Sequence, residues 1–199
     1  GCTDEIEGAL HALLESHYSV DILAEHQLEP DLAEYPVVVI PDSYALPDGF
    51  RTALLRYVED GGSLVLLGEK CARLFQDRLG VRLEGAPQQT DAELMTAEGV
   101  VNQNGVWQRV TPTTAAVIGM RYPTRDTRKD GEVAATIATV GKGRIAAVYG
   151  PVALNHFRAH HPWLRRFVGD VVARTFPKPA VTVDGPPTVD VALRRTRDG

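Results

Sequence analysis

The chain has 199 residues, of which 44% are hydrophobic and 24% are charged, and its formal net charge is -5 at pH 7. This length and composition predict a well-packed core rather than disorder. A nucleic-acid-binding face would carry a cluster of basic residues, and a membrane span would need a run of roughly 20 apolar residues; the sequence shows neither. Two cysteines, Cys2 and Cys71, are too few for a disulfide framework or a cysteine zinc site. We therefore expect a partner that is neither nucleic acid nor membrane.

The first predicted elements are an amphipathic helix over residues 5–17 and a short strand over residues 19–23. Ile6 and Leu10 lie on the apolar face of this helix. Doubly wound domains normally open with a strand, and the predicted strand at 189–193 has no partner strand after it. Both features predict that the chain is a piece of a longer polypeptide.

Residues 37–67 predict a β-α-β unit. Two runs, 37–40 and 64–67, are continuously apolar, which is typical of parallel strands that are covered on both faces. The segment between them has a helical pattern, with Pro47 in its first turn and two glycines at its end. The unit predicts an α/β fold with a mostly parallel sheet and helices on both faces.

The carboxyl ends of the predicted strands are where an open parallel sheet binds its ligands. Polar residues follow the two strands of the β-α-β unit and a third apolar run at 143–150. We call the following residues the strand-end rim: Asp42, Ser43, Glu69, Lys70, Cys71, Asn155 and His156. This rim is the predicted ligand site, and Asp42 with Glu69 could form an acid/base pair there, although nothing in the sequence sets their separation.

Cys71 is the candidate nucleophile of the rim, because a cysteine that follows a buried strand at a helix start can have a lowered pKa. A nucleophile elbow, however, needs small residues on both sides of the nucleophile. Lys70 occupies the elbow position here. We therefore interpret Cys71 as a structural thiol and predict no catalytic residue.

The densest group of histidines is His156, His160 and His161. A spacing of four would align His156 with His160 on one helix face, as in metal-binding pairs. Pro162 instead places His160 and His161 at the start of the last helix, and thus His156 in the preceding loop. No nearby carboxylate or cysteine completes a ligand set. We therefore predict capping and surface roles for these histidines, no metal site and no cofactor.

The remaining elements are less sharply defined by the sequence. Short strands are predicted within residues 81–127 and a hairpin over residues 132–149, followed by the last helix. A segment with four prolines then leads to the terminal strand. The predicted organisation is an α/β domain (1–176), a proline-rich linker (177–187) and the start of a small C-terminal β-domain (188–199).

The chain resembles the class I glutamine-amidotransferase-like domain found in glycoside hydrolases, and most of all the β-galactosidase trimerisation domains. The similarity lies in the opening helix, in residues 19–23, in Leu-Ala-Glu-Tyr-Pro-Val-Val-Val-Ile-Pro at 32–41 and in Tyr-Val-Glu-Asp-Gly-Gly-Ser-Leu-Val at 57–65. Gly-Lys-Gly-Arg at 141–144 fits the closing hairpin of that domain, and residues 186–193 resemble the small β-domain that follows it. The resemblance implies a flavodoxin-like or glutamine-amidotransferase-like sheet.

The sequence departs from an active amidotransferase at both catalytic positions. Lys70 stands where the Gly-x-Cys-x-Gly elbow of the family has its nucleophile. The nearest match to the His-x-Glu motif begins at His156 and has Arg158 in place of the carboxylate. An arginine can neither accept a proton nor orient a histidine as a carboxylate does. The resemblance therefore implies a catalytically silent relative.

The function implied by the resemblance is that of a non-catalytic accessory domain in a multidomain glycoside-hydrolase-like protein. Such a domain would pack against the catalytic barrel of its parent and form a homo-oligomer. The predicted interface is apolar surface beside Trp107, Tyr122 and Trp163, because interfaces favour Trp and Tyr. Two alternatives stay open: a small hydrolase or amidotransferase-like enzyme that uses Cys71 and His156, and a carbohydrate-binding module with its ligand at the strand-end rim.

Overall fold

The computed structural model describes residues 3–43, 45–176 and 178–193. Its helices are α1 (Thr3–Leu14), α2 (Glu25–Leu28), α3 (Asp48–Glu59), α4 (Glu69–Leu74), α5 (Val152–Ala159) and α6 (Pro162–Thr175), with 3₁₀ helices at Glu29–Glu34 and Gln76–Arg78. Its strands are β1 (Val37–Pro41), β2 (Ser63–Leu67), β3 (Val81–Met95), β4 (Val100–Pro112), β5 (Ala116–Tyr122), β6 (Glu132–Val140) and β7 (Gly143–Val148). Among these residues no helix combines the length and the apolar content needed to cross a bilayer. The α/β class predicted from the sequence is confirmed.

The strands of the described residues form one mixed sheet in the order β1-β2-β7-β6-β5-β3-β4. β1, β2 and β7 pair in parallel, and all other pairs are antiparallel. The prediction of a mostly parallel sheet is therefore wrong, because parallel pairing is confined to the edge formed by β1, β2 and β7. Consecutive strands from β3 to β7 are joined without helices, and connections of that kind favour antiparallel pairing, whereas parallel strands need a longer crossover.

The predicted β-α-β unit is confirmed at the parallel edge of the sheet. β1 and β2 pair from Val37↔Ser63 to Pro41↔Leu67, with α3 between them in the chain. α3 begins directly after Pro47 and buries Phe50, Leu54 and Val58. This spacing of four residues places the three side chains on one helix face.

The central strand β2 shows how both faces of the sheet are covered. All five of its residues are buried, and successive side chains of a strand point to opposite faces. Val65 and Leu67 pack in a cluster with residues of α1, α5 and α6. Leu64 and Leu66 pack in a second cluster with residues of α3 and α4. The continuous apolar run thus serves two cores, one on each face.

The antiparallel part of the sheet contains a long hairpin that the sequence predicts only in fragments. β3 and β4 pair from Val81↔Pro112 to Met95↔Val100, with an irregularity between Glu84 and Gln88. Gly85, within that irregularity, has a φ of 63°, which glycine adopts without strain. Many side chains along β3 are polar and exposed. The alternation of apolar and polar residues in this segment is therefore too weak to predict one long strand.

Trp107 of β4 belongs to the core and not to the surface. Its side chain is fully buried, and the guanidinium of Arg121 lies 4.8 Å from the centre of one ring. The predicted interface role of Trp107 is therefore wrong. Tyr122 and Trp163 are partly exposed, and their interface role stays a prediction.

Two predicted strands are absent from the described residues. Residues 19–23 contain no helix or strand, and neither do residues 178–193. The tail instead packs beside the end of α1: the amide of Leu193 donates to Ser19 Oγ at 3.1 Å, and His17 Nε2 lies 3.0 Å from the carbonyl oxygen of Pro186. Residues 194–199 of the predicted β-domain lie outside the described part, and the division of the chain at 177–187 stays a prediction.

Candidate functional site

Asp42 joins the carboxyl ends of β1 and β2. Its Oδ1 accepts hydrogen bonds from the backbone amides of Lys70 at 2.8 Å and Cys71 at 3.3 Å, and its Oδ2 lies 3.0 Å from Lys70 Nζ. Gly68 makes room for this contact, because a Cβ there would overlap the Asp42 carboxylate and its φ is +148°. The carboxylate thus caps the first turn of α4, and this contact stabilises the folded state.

Cys71 is fully buried in the first turn of α4. Its Sγ lies 3.3 Å from the carbonyl oxygen of Gly68 and 3.7 Å from that of Ile40, and it donates to them. Burial raises the pKa of the Cys71 thiol well above its ordinary value, and the carboxylate of Asp42 adds to the shift. Since the thiolate is the reactive form, this position favours a packing role for Cys71.

Glu69 and Ser43 complete the polar groups at the ends of β1 and β2. Glu69 is buried, and its Oε2 has no hydrogen-bond partner within the part of the chain that the structure describes. Burial raises the pKa of Glu69, and the Asp42 carboxylate raises it further. Ser43 Oγ donates to the carbonyl oxygen of Ala45 at 3.2 Å within the following loop. Asp42 is thus held by Lys70, whereas burial favours the protonated form of Glu69, and the acid/base role of the two carboxyl groups stays a prediction.

Asn155 and His156 lie on α5, so the predicted loop position of His156 is wrong. Pro162 does begin α6, but α5 is a separate helix that ends just before His160. Asn155 Nδ2 donates to the carbonyl oxygens of Asn104 at 3.1 Å and Pro151 at 2.9 Å, which ties α5 to β4. His156 is fully buried, and its Nε2 lies 3.5 Å from Oε2 of Glu15, on the side of α1.

A cavity of about 310 Å³ opens at the rim. Its polar lining includes Glu5, Asp42, Lys70, Gln89, Asn104 and Arg158. Only two of the seven predicted rim residues, Asp42 and Lys70, line this cavity. No aromatic side chain lines it among the described residues, although aromatic walls are common in small-molecule sites. The cavity can therefore offer hydrogen bonds and charges to a small polar ligand, but little stacking surface.

A second group of polar side chains lies where α1 and α5 meet. Glu15, His156 and His160, which we call the helix cluster, place one ligand atom each within 4.8 Å of one another. Burial lowers the pKa of His156, Glu15 raises it, and His160 and His11 lower it. The backbone of His161 also raises the pKa of His156, but neither ring nitrogen makes a hydrogen bond of good geometry among the described residues. Sequence reasoning missed the cluster, because Glu15 is far from the histidines in the chain; the spacing of His156 and His160 was the one available signal.

Comparison with known proteins agrees with the resemblance predicted from the sequence. Residues 4–68 match the model of the β-galactosidase trimerisation domain family. No curated protein sequence matches the chain. The match covers α1, β1, α3 and β2. The parts of the resemblance at 141–144 and 186–193 lie outside the matched residues.

Several solved structures share the fold. They include the β-galactosidase of Bacillus circulans sp. alkalophilus, at 17% identity and a TM-score of 0.62, which covers 86% of this chain and 26% of that one. The exo-β-1,4-mannosidase Op5Man5 from Opitutaceae bacterium strain TAV5 has 20% identity and a TM-score of 0.64, with coverage of 86% and 31%. A cytoplasmic protein from Salmonella typhimurium LT2 has 14% identity and a TM-score of 0.64, with coverage of 85% and 86%. The chain therefore spans about a quarter to a third of these two glycoside hydrolases, but most of the Salmonella protein.

Proposed function

We propose that the chain is a non-catalytic accessory domain of a multidomain glycoside-hydrolase-like protein and that it acts in subunit association. The observation that carries the proposal is the match of residues 4–68 to the β-galactosidase trimerisation domain. The structural likeness to the β-galactosidase of Bacillus circulans, of which the chain spans 26%, supports it, since that length is what one domain of a larger enzyme would occupy. The catalytic barrel of the parent is then the partner that we expect.

The chemistry at the rim supports a silent domain. Lys70, at the position of the family nucleophile, is paired with Asp42, and the neighbouring thiol of Cys71 is fully buried. Arg158 is exposed and cannot orient His156 as a carboxylate would. We propose that β1, β2 and β7 with their helices keep an amidotransferase-like arrangement without its catalytic groups.

The alternative function, an enzyme that uses Cys71 and His156, predicts a reactive Cys71 thiol. A reactive cysteine would be alkylated rapidly at neutral pH, because it would be exposed and largely ionised. We expect alkylation of Cys71 in the folded chain to be at least about 100-fold slower than in denaturant, since the thiol must first be exposed by opening of the fold. Mass spectrometry in a Cys2→Ser background measures this ratio, and equal rates would favour the enzyme.

Ile22 and Leu23 form the apolar surface that we propose for association. Ile22 is 65% exposed, the largest value among the exposed large hydrophobic residues in the described part, and the adjacent Leu23 is 37% exposed. Exposed apolar neighbours of this kind are favourable to bury against a second subunit. Val117 of β5, at 43% exposure, lies on another element and provides a matched control.

Sedimentation velocity of the chain and of two variants tests this location. We expect Ile22→Ser to weaken self-association by about 1 to 2 kcal/mol, because its side chain would be buried in the interface, and we expect Val117→Ser to leave it unchanged. The opposite pattern would place the interface on β5 and would remove the assignment to Ile22.

A polar ligand at the rim is a second candidate function, favoured by the cavity of about 310 Å³. Gln89 and Asn104 line this cavity. Gln89 Nε2 donates to Asn104 Oδ1 at 3.2 Å and Asn104 Nδ2 donates to Asp91 Oδ1 at 2.6 Å, so a sugar hydroxyl would bind to the hydrogen-bonding capacity that remains on these amides. Calorimetric titration with galactose-containing and mannose-containing oligosaccharides tests it. Saturable heats that Asn104→Ala reduces would support a carbohydrate site, whereas the absence of heats for every sugar would remove it.

A further inference from the structure

The helix cluster and the neighbouring His11 form two pairs of residues that are each four apart in the chain. The amide of Glu15 donates to the carbonyl oxygen of His11 at 2.9 Å, so Glu15 continues the last turn of α1. The amide of His160 donates in the same way to His156 at 2.7 Å, at the end of α5. Residues four apart lie on one helix face. Two helix ends thus present four potential ligand side chains to one another.

α1 and α5 are held close together beneath this cluster. A Cβ at Gly8 of α1 would overlap the backbone carbonyl of Ala153 in α5, so only a glycine permits this approach. Ala9 and Ala12 of α1 and Val152 of α5 are buried in the shared core. Ligands that project from rigid, closely packed helices are better placed to hold a metal ion than ligands on loops.

The distances in the cluster are near those of a metal site. His156 Nε2 lies 3.5 Å from Glu15 Oε2, and His160 Nδ1 lies 3.8 Å from Glu15 Oε1. A tetrahedral zinc ion with bonds of about 2.0 to 2.1 Å holds its ligand atoms roughly 3.3 Å apart. These two distances end on different oxygens of Glu15, and one ligand atom from each of the three residues lies within 4.8 Å of the other two, so side-chain rotations would have to draw the atoms together around an ion. The present separations are too long for good hydrogen bonds.

The unpartnered nitrogens of the cluster also indicate a missing ligand. His156 is fully buried, and among the described residues neither of its ring nitrogens makes a hydrogen bond of good geometry, its nearest polar contacts being Glu15 Oε2 and the backbone of His161. Nδ1 of His11 is buried without a partner as well, and the His11 ring stacks on that of His160 at 5.3 Å. Buried polar atoms in native proteins are nearly always paired. A bond from Nε2 of His156 to a metal would remove one of these exceptions.

Two further features bear on how an ion would reach and hold the cluster. The side chains of His160 and Glu15 are 55% and 29% exposed, which leaves an open route from solvent. Arg165 Nη1 lies 4.0 Å from Glu15 Oε2, at the outer limit of an ion pair, and its positive charge opposes a cation. Simple helix packing would explain the cluster without a metal, but it leaves Nε2 of the fully buried His156 at a distance of 3.5 Å from Glu15 Oε2, which is long for a hydrogen bond.

We propose that Glu15, His156 and His160 bind a divalent transition-metal ion of the zinc class that ties α1 to α5. Two imidazoles and one carboxylate form a ligand set that suits Zn²⁺, while Mg²⁺ and Ca²⁺ prefer oxygen ligands. His11 or a water molecule takes the fourth position. This inference stands independently of the proposed association function.

Calorimetric titration of the full chain with ZnCl₂ tests the site. The chain carries no affinity tag, is freed of metal with EDTA and contains Cys2→Ser, so that neither a tag nor the terminal thiol competes. We expect one equivalent to bind and Mg²⁺ to give no saturable heat. We also expect the thermal midpoint to rise with Zn²⁺, because a ligand of the folded state stabilises that state.

Matched variants assign the binding to this cluster. Glu15→Gln and His160→Asn change partly exposed side chains, and Asn tolerates the left-handed backbone of His160, whose φ is 44°. We expect each to weaken zinc binding at least about tenfold, and His26→Gln, at an exposed histidine of α2, to have no effect. Arg165→Gln should strengthen binding, because it removes the opposing charge.

The spectrum of Co²⁺ bound to the chain provides a readout that does not depend on stability. A tetrahedral site of nitrogen and oxygen ligands gives intense visible absorption, which His160→Asn should abolish. The proposal is overturned if Zn²⁺ gives no saturable heat, or if binding is unchanged in Glu15→Gln and His160→Asn. It is equally overturned if His26→Gln weakens binding as much as they do.

Discussion

The strand-end rim and the helix cluster both gather charged side chains, but they differ in how those side chains are satisfied. At the rim, Asp42 receives two backbone hydrogen bonds and the amine of Lys70. In the helix cluster, the ring of the fully buried His156 makes no hydrogen bond of good geometry within the described part of the chain, and its Nε2 lies 3.5 Å from Glu15 Oε2. The position where a parallel sheet usually binds ligands is thus largely occupied by the chain's own contacts. The less conspicuous junction of α1 and α5 holds the potential metal-ligand atoms, while at the rim the buried Glu69 Oε2 is without a hydrogen bond among the described residues.

Replacing Gly68 with alanine should disrupt the contact between Asp42 and the start of α4, and we expect it to cause the largest loss of stability among these variants. The backbone at φ +148° is strained for any residue with a Cβ, and that Cβ would overlap Asp42. We expect a loss of about 3 kcal/mol or more in the free energy of unfolding, measured by urea denaturation. Gly49→Ala in the first turn of α3 is the matched control, because nothing lies within 4 Å of its Cβ position. Similar losses in both variants would contradict the account of Gly68.

Replacing Asp42 with alanine removes the cap of α4 and leaves the amides of Lys70 and Cys71 without their acceptor. We expect a loss of about 2 kcal/mol in unfolding free energy. Asp42→Asn keeps one acceptor oxygen but loses the ion pair, so it should cost about half as much. A neutral result for Asp42→Ala would mean that the carboxylate is not structural and is available for a ligand.

The contrast between the two regions also shows what sequence patterns reveal. The β-α-β unit was predictable because 37–40 and 64–67 are short local runs whose apolar character requires cover on both faces. The rim followed from the same strands, and Asp42 and Lys70 of that rim do lie in contact, whereas its use as a ligand site stays a prediction. The sequence could not reveal that these two side chains satisfy each other, since that depends on distances between elements.

The misjudged elements have a common physical cause. β3 pairs with β4 over a long polar stretch, so backbone hydrogen bonds and not an apolar period define it. His156 was assigned to a loop because Pro162 was the nearest helix signal, whereas α5 has no capping side chain to mark its start. Glu15 contacts His156 only through the packing of α1 on α5. Contacts between distant segments are what single-sequence patterns lack.

Replacing Glu69 with glutamine tests the raised pKa of this buried carboxyl group through the pH dependence of the unfolding free energy. Burial raises the pKa of Glu69 above its ordinary value of 4.5, so the folded chain binds this proton more tightly than the unfolded chain. Stability contributed by Glu69 is therefore present below pH 4.5 and is lost as the pH rises through the folded pKa. We expect Glu69→Gln to gain on the order of 1 kcal/mol relative to the parent between about pH 4 and pH 7. A constant difference across this range would contradict the raised pKa.

Replacing His160 with glycine separates folding from metal binding in the helix cluster. His160 has a φ of 44°, a left-handed conformation that costs less for glycine. In EDTA we expect His160→Gly to be as stable as the parent or more stable by up to about 1 kcal/mol. With Zn²⁺ the order should reverse, because only the parent gains from the ion. A large loss of stability in EDTA would show that the His160 ring is a packing element.

Sedimentation equilibrium of the intact chain tests the proposed association function most directly. We expect self-association at high protein concentration, and we expect added salt to strengthen or spare it, since the proposed contact is apolar and charge screening would not weaken it. An interface held by charged groups would instead weaken as the ionic strength rises. A strict monomer at high concentration, both in low and in high salt, would contradict the proposal.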